Sequence, residues 1–145
     1  IRPAGNNIYV KGPEKLTSVS VVTLAHPGFP TDMQPQMMAM ASLAAGTSMI
    51  EENIFEKRMK AASELTKMGA DIAVNGKNAV VRGVERLHGA TVMTHDLRAG
   101  AALVAAALAT DDETVVDGMC IIDRGYWHMK EKLEAIGADI RRMEE

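Results

Sequence analysis

The sequence predicts an α/β fold built from repeated β-α-β-α-β-β units, on three observations. A β-like run leading into His26-Pro27-Gly28-Phe29-Pro30-Thr31-Asp32 opens an apolar helix, and a second run ending in Thr94-His95-Asp96 opens an Ala-rich one. Downstream of each, an amphipathic stretch closes on the same signal, Met68-Gly69-Ala70-Asp71 in one copy and Ile136-Gly137-Ala138-Asp139 in the other. Between them, Asn75-Gly76-Lys77-Asn78 separates two β-branched runs as a hairpin turn does.

Residues 8–22 carry β-branched positions on either side of Lys11-Gly12-Pro13, which predicts two short strands. Two prolines and a glycine at 26–30 force a non-helical approach and place Thr31 or Asp32 at the N-cap of a helix over 33–45. Met37, Met38, Met40, Leu43 and the alanines make that helix apolar on nearly every side, so burial all round is expected. Gly46 is placed to end it, and 47–51 alternates as a strand. Phe55, Met59, Ala62, Leu65 and Met68 then recur at helical spacing with Lys57, Lys60, Glu64 and Lys67 between them, predicting an amphipathic surface helix over 55–68. Strands are expected at 71–74 and 79–84. The second copy predicts a strand at 90–93, a buried helix over 97–109, a strand at 114–117, an amphipathic helix over 125–136 and a last strand at 138–143, its hairpin partner falling beyond the sequence.

A chain of 145 residues that is 47% hydrophobic and 24% charged can bury a core as one domain and is not disordered. Its net charge of −3 and its two Phe, two Tyr and one Trp supply neither the basic field nor the stacking platforms that nucleic acid requires. The lone Cys120 forms no internal disulfide, and a reducing, cytoplasmic setting is expected. No targeting segment is recognisable, and the most apolar run, 99–109, is too short to cross a bilayer. An opening at Ile1 rather than Met suggests a fragment of something longer. The 11 methionines read as flexible core packing, and the four histidines stand in unrelated settings, so no metal site is expected. His95, beside Asp96, is expected near a site without being a ligand.

Chemistry is concentrated at the strand-to-helix junctions. Asp32 is either a helix cap or a carboxylate aimed into a cleft. Arg58, Arg98 and Arg124, each ordinary as a surface charge, together with Asp32 and Asp96 predict one rim. Arginine's planar fork suits carboxylate and phosphate, so the expected substrate is a small anion, with an aspartate beside it as base.

The strings Phe29-Pro30-Thr31-Asp32-Met33-Gln34, Ile54-Phe55-Glu56-Lys57-Arg58, Asp96-Leu97-Arg98-Ala99-Gly100 and Ile122-Asp123-Arg124-Gly125-Tyr126 resemble the UDP-N-acetylglucosamine 1-carboxyvinyltransferases. These are the enolpyruvyl transferases that begin bacterial peptidoglycan synthesis, and the likeness covers essentially the whole chain. It implies an inside-out α/β barrel domain of three β-α-β-α-β-β repeats, of which about two are present: 1–25 the end of a preceding repeat, 26–89 one repeat, and 90–145 a second, truncated one. It also implies a parent nearly three times as long, whose other parts supply the reactive cysteine loop and the phosphate-binding lysine and arginine. Cys120 is not that cysteine, and a buried or half-buried structural thiol is expected there.

Carried over motif by motif, the resemblance makes Asp32 the general-base candidate beside the attacking sugar hydroxyl, and Asp96 a second acid in the cleft. Ile54 contacts the UDP-sugar through its main chain, with Phe55 beside it at the nucleotide end. Arg58 and Arg98 face the enolpyruvyl carboxylate, and Arg124 the closing loop and phosphate side. The catalytic set is therefore Asp32, Asp96 and Arg124, and the binding set is Asp32, Ile54, Phe55, Arg58 and Arg98. The substrates implied are UDP-N-acetylglucosamine and phosphoenolpyruvate, with no cofactor and no metal, because fixed guanidinium groups balance the charge. Further partners implied are the missing N-terminal part of the enzyme or, for the isolated and inactive chain, a second copy; no nucleic acid or membrane is implied. Lys57, Ile121 and Trp127 depart from the family's usual Asn, His and following residue. Two alternatives stay open: an enzyme acting on shikimate 3-phosphate, and a non-catalytic α/β binding module.

Overall fold

The computed structural model describes residues 1–143. Strands β1 (Arg2–Ala4) and β2 (Asn7–Tyr9) form an exposed antiparallel hairpin. Strand β3 (Ser20–Val22) is followed by helix α1 (Gln34–Ala41) and strand β4 (Thr47–Glu51), and β3 and β4 lie parallel with α1 as their crossover. A 3-10 turn, Glu56–Lys60, leads into helix α2 (Ala61–Lys67), then the hairpin of β5 (Asp71–Asn75) and β6 (Asn78–Arg82). The sheet order is β3-β4-β6-β5, with β6 antiparallel to both neighbours. The second unit repeats the opening: β7 (Thr91–Met93), helix α3 (Leu97–Ala107) and β8 (Val115–Asp117), with β7 and β8 parallel. Helices α4 (Met119–Asp123) and α5 (Met129–Glu134) follow. The expected α/β architecture is thus present, with the two crossover helices α1 and α3 packed on each other.

The core lies between those helices, α2 and the inner sheet face: Met38, Ile50, Leu65, Met68, Val81, Val92, Ala102 and Leu103 are buried there. Alternation places Ser48 and Ile50 inward on β4 while Thr47 and Met49 face out. The shared closing signal has a physical basis. Gly69 (φ 91°) and Gly137 (φ 101°) take the left-handed conformation that ends a helix. In each, the residue after the glycine donates its N–H back to a helix carbonyl, Ala70 to Leu65 and Ala138 to Leu133, both at 3.1 Å.

Several expectations need correction. The first pair of strands is not 8–22 folded about Lys11-Gly12-Pro13: β2 turns back on the unexpected β1, and β3 pairs with β4. Helix α1 ends at Ala41 rather than near Gly46, because 42–45 peels away so that Ala45 can exchange hydrogen bonds with Leu16 and Ser18. Nor is it buried all round, since Met40 is about half exposed at 51%. Glu64, assigned to the solvent face, is buried because its carboxylate accepts the Met93 N–H at 2.8 Å. The helix expected over 125–136 is shorter, because His128 at φ 51° breaks the chain and only α5 forms. The unexpected α4 precedes it, anchored by Ile122, fully buried against Gly100 of α3. No strand forms at 138–143, where among the described residues no neighbour offers a ladder. Cys120 is exposed, not buried.

Candidate active site

The Pro-rich turn positions Asp32. Leu24 N–H bonds to the Phe29 carbonyl (3.1 Å) and Gly28 N–H to that of Ala25 (2.8 Å), a fold so tight that a Cβ on Gly28 would lie 2.4 Å from the Leu24 Cβ. The chain leaves it through Pro30 into a short 3-10 turn, Thr31–Met33, and neither Thr31 nor Asp32 caps a helix. Asp32 Oδ1 instead accepts from Arg58 Nη2 at 2.6 Å and Oδ2 from Arg98 Nη2 at 2.8 Å. The helix-cap alternative is thereby excluded.

Arg58 comes from the 3-10 turn before α2 and is 8% exposed. Its second fork nitrogen, Nη1, donates to Asp96 Oδ1 at 3.1 Å, and its guanidinium lies 5.1 Å from the Phe55 ring centre. Asp96 is the true N-cap of α3, accepting the Arg98 and Ala99 N–H groups at 2.8 and 3.1 Å. Four charged side chains from both repeats therefore form one alternating network, Asp96–Arg58–Asp32–Arg98. The sequence-predicted rim is real for these four. Arg124 is exposed one residue beyond α4 and, among the described residues, joins no hydrogen bond or ion pair with them. It stays nearby through Gly125, whose Cβ position would lie 2.5 Å from Leu97 at the start of α3.

The hydrogen bond from Arg98, opposed by partial burial and reinforced by the charges of Arg98 and Arg58, holds the Asp32 carboxyl below its ordinary value of 3.8. Arg98 is in turn pushed further toward its charged form, first by its hydrogen bond to Asp32 and also by the field of Tyr126 and Asp96. Asp32 is thus an ionised, half-exposed carboxylate (side chain 52% exposed) at the mouth of the junction.

Two residues absent from the sequence-based site complete it. Glu52, 1% exposed, accepts at Oε1 from the Thr23 hydroxyl (2.7 Å) and the Ile54 and Phe55 N–H groups (2.8 and 2.9 Å), and at Oε2 from the Thr31 hydroxyl (3.0 Å). Burial pushes its pKa up, but these donors outweigh burial and leave it below 4.5. Glu64 is likewise raised by burial and lowered more by Lys67, the Met93 amide and His95. His95 Nε2 sits 3.5 Å from Glu64 Oε1, next to Asp96 as expected. The available signal for Glu52 was an acidic residue at a strand end followed by a turn with free N–H groups.

Depressed carboxyl pKa values set the sign of the acid response. Glu52 and Glu64 contribute stability that is full above their ordinary value of 4.5 and is lost as pH falls through the lower folded value, and the half-exposed, screened Asp32 adds little to it. The urea midpoint is expected to stay level from neutrality to about pH 5 and to fall steeply below about pH 4. Equal midpoints at about pH 7 and about pH 3 would contradict these assignments.

No group of three or more His, Cys, Asp or Glu is placed to hold a metal ion, and no helix is long and apolar enough to cross a membrane, among the described residues. Comparisons with known proteins fit the geometry. Over 143 residues the chain is 51% identical to UDP-N-acetylglucosamine 1-carboxyvinyltransferase 1 of Symbiobacterium thermophilum, covering 99% of this chain and 32% of that protein. It is 53% identical over 137 residues to a UDP-N-acetylglucosamine 1-carboxyvinyltransferase of Desulfofundulus thermocisternus, covering 94% of this chain and 56% of the relative. The chain therefore spans between about a third and just over half the length of these relatives. Among solved structures, the enolpyruvyl transferase NikO from Streptomyces tendae superposes with a TM-score of 0.82 at 32% identity, over 89% of this chain and 30% of that one. EPSP synthase from Acinetobacter baumannii shares the fold at a TM-score of 0.63 and 18% identity, over 70% of this chain and 25% of that one. The family model of EPSP synthase (3-phosphoshikimate 1-carboxyvinyltransferase) matches residues 2–133, and the chain belongs to this family of enolpyruvyl transferases.

Proposed function

We propose that the chain is the C-terminal part of a cytoplasmic UDP-N-acetylglucosamine 1-carboxyvinyltransferase, which transfers the enolpyruvyl group of phosphoenolpyruvate to the sugar's 3-hydroxyl and commits it to peptidoglycan synthesis. The observation that carries this reading is Asp32, held ionised between Arg58 and Arg98 at an open strand-to-helix junction. Relatives near 50% identity that bear this name favour it over a shikimate 3-phosphate enzyme.

In the proposed reaction the 3-hydroxyl gives its proton to Asp32 and its oxygen adds to carbon two of phosphoenolpyruvate, while carbon three gains a proton. Loss of a proton from carbon three then expels phosphate from carbon two. Each Asp32 oxygen accepts one arginine N–H here and keeps a lone pair for the hydroxyl proton, which it takes more readily once one arginine turns away. Arg58 is buried and shared with Asp96, whereas Arg98 is 36% exposed and is the partner free to turn toward a substrate carboxylate. Asp96 fixes Arg58 and is the second acid within reach, and Arg124 remains available for the phosphate side. The Ile54 N–H is spent on Glu52, which leaves its carbonyl as the main-chain group for the UDP-sugar, with the half-exposed Phe55 beside it.

The parallel units β3-α1-β4 and β7-α3-β8 support two successive repeats, the second over 90–145. Because β3 is the counterpart of β7, the first is proposed to begin at β3 rather than at 26, with the residues before β3 closing a preceding one. The rest of the enzyme is the proposed partner. The isolated chain is proposed to be inactive and to pair with a second copy through the exposed side of 33–45 or 97–109, where Met33 and Met40 are about half exposed. Labelled phosphoenolpyruvate tests the chemistry in the full-length protein: its three carbons are expected on the sugar's 3-oxygen, read by carbon NMR. Label recovered only as pyruvate would overturn the reading.

A further inference from the structure

We propose that Glu52 is a positioning residue, whose buried carboxylate locks the Thr31-Asp32 turn and the Ile54-Phe55 turn into one rigid frame for the Asp32–Arg58 pair. Oε2 holds the Thr31 hydroxyl at 3.0 Å, one residue from the Asp32 carboxylate. Oε1 holds the Ile54 and Phe55 N–H groups at 2.8 and 2.9 Å. Phe55 passes the constraint on, since its carbonyl accepts the Arg58 N–H at 2.9 Å and its ring lies 5.1 Å from the Arg58 guanidinium. The third donor to Oε1, the Thr23 hydroxyl, also accepts the Asn53 N–H at 2.8 Å and ties the frame to the end of β3.

The second repeat shows that this carboxylate is not demanded by the fold. Thr23 and Thr94 occupy equivalent places, each following the first strand of a parallel pair and donating its N–H to the last residue of the partner strand, Glu51 and Asp117, both at 2.9 Å. There the likeness stops: the residue after Asp117 is Gly118, and Thr94 Oγ1 is buried with no hydrogen-bond partner. One β-α-β unit forms without the acid; the one bearing Asp32 has it. A buried carboxylate satisfied by four neutral donors is costly to desolvate, and it is well suited to fixing loops with little freedom to rearrange.

The catalytic part of this proposal rests on the enolpyruvyl-transfer reading, but its geometry is testable without it. In the 145-residue chain, the Asp32 carboxyl is titrated by carbon-13 NMR in the parent, Thr31→Val and Thr31→Ser. Thr31→Val removes only the hydroxyl held by Glu52; Asp32 is then expected to loosen from Arg98 and titrate at higher pH, while Thr31→Ser restores the parental midpoint. Thr31→Ala serves if the valine variant loses its dispersed spectrum. An unchanged midpoint in a folded variant would overturn the proposal. In the full-length enzyme Thr31→Val is expected to lower kcat on the order of tenfold to a hundredfold, with KM for the sugar nucleotide little changed and the acid limb of the pH profile moved upward. A fall in active fraction alone leaves that limb in place and would count against positioning. A parent enzyme that releases no phosphate would overturn the functional reading, and the NMR titration would still decide the role of Glu52.

Discussion

Replacing Asp32 by Asn in the full-length protein is expected to lower turnover by roughly two to four powers of ten, while substrate affinities change little. The amide keeps the size of the carboxylate and can still accept one arginine N–H, but it has no basicity with which to take the hydroxyl proton. Arg58 stays fixed by Asp96 and Phe55 in such a variant, so the site is not dismantled. Stability is expected to move little, because the Asp32 side chain is 52% exposed and ion pairs in that setting are well screened. Steady-state rates with isothermal titration of the sugar nucleotide separate the two effects. Full turnover would reduce Asp32 to an anchor for the arginines.

The largest stability effect is expected at the contact between the two repeats. Leu103 on α3 is fully buried in the cluster that also contains Met38 and Ala39 of α1 and Leu65 of α2. Leu103→Ala is expected to cost about 2–5 kcal/mol, a large share of the roughly 5–15 kcal/mol that holds a domain together. Leu103→Met, which keeps the volume, is expected to cost less than about 1.5 kcal/mol. Leu108, just past the end of the same helix, is 45% exposed, and Leu108→Ala is expected to stay within about 0.5 kcal/mol of the parent. Urea midpoints check all three, and equal losses at Leu103 and Leu108 would contradict the assignment of the core.

Local signals carried much of the fold. The Asn75–Asn78 hairpin, the two glycine-terminated helices and the paired strand-to-helix junctions each follow from residues close in sequence, and the structure has them at those places. The departures come from partners distant in sequence. Helix α1 stops early because Ala45 is claimed by Leu16 and Ser18, and Glu64 is buried because a strand amide nearly thirty residues later needs an acceptor. The last strand is missing because an extended segment is held by a ladder and not by its own pattern. The site divides in the same way. Asp32, Arg58, Asp96 and Arg98 were visible as charges at junctions, and the resemblance placed them in one cleft. Glu52 was not visible, because one acid at a strand end looks like any other until the Thr23, Thr31, Ile54 and Phe55 donors converge on it.

Phosphate release by the full-length protein, measured with phosphoenolpyruvate and one acceptor at a time, tests the central claim most directly. Release that requires UDP-N-acetylglucosamine and is absent with shikimate 3-phosphate is the predicted result. Release with shikimate 3-phosphate alone, or with neither acceptor, would contradict the account.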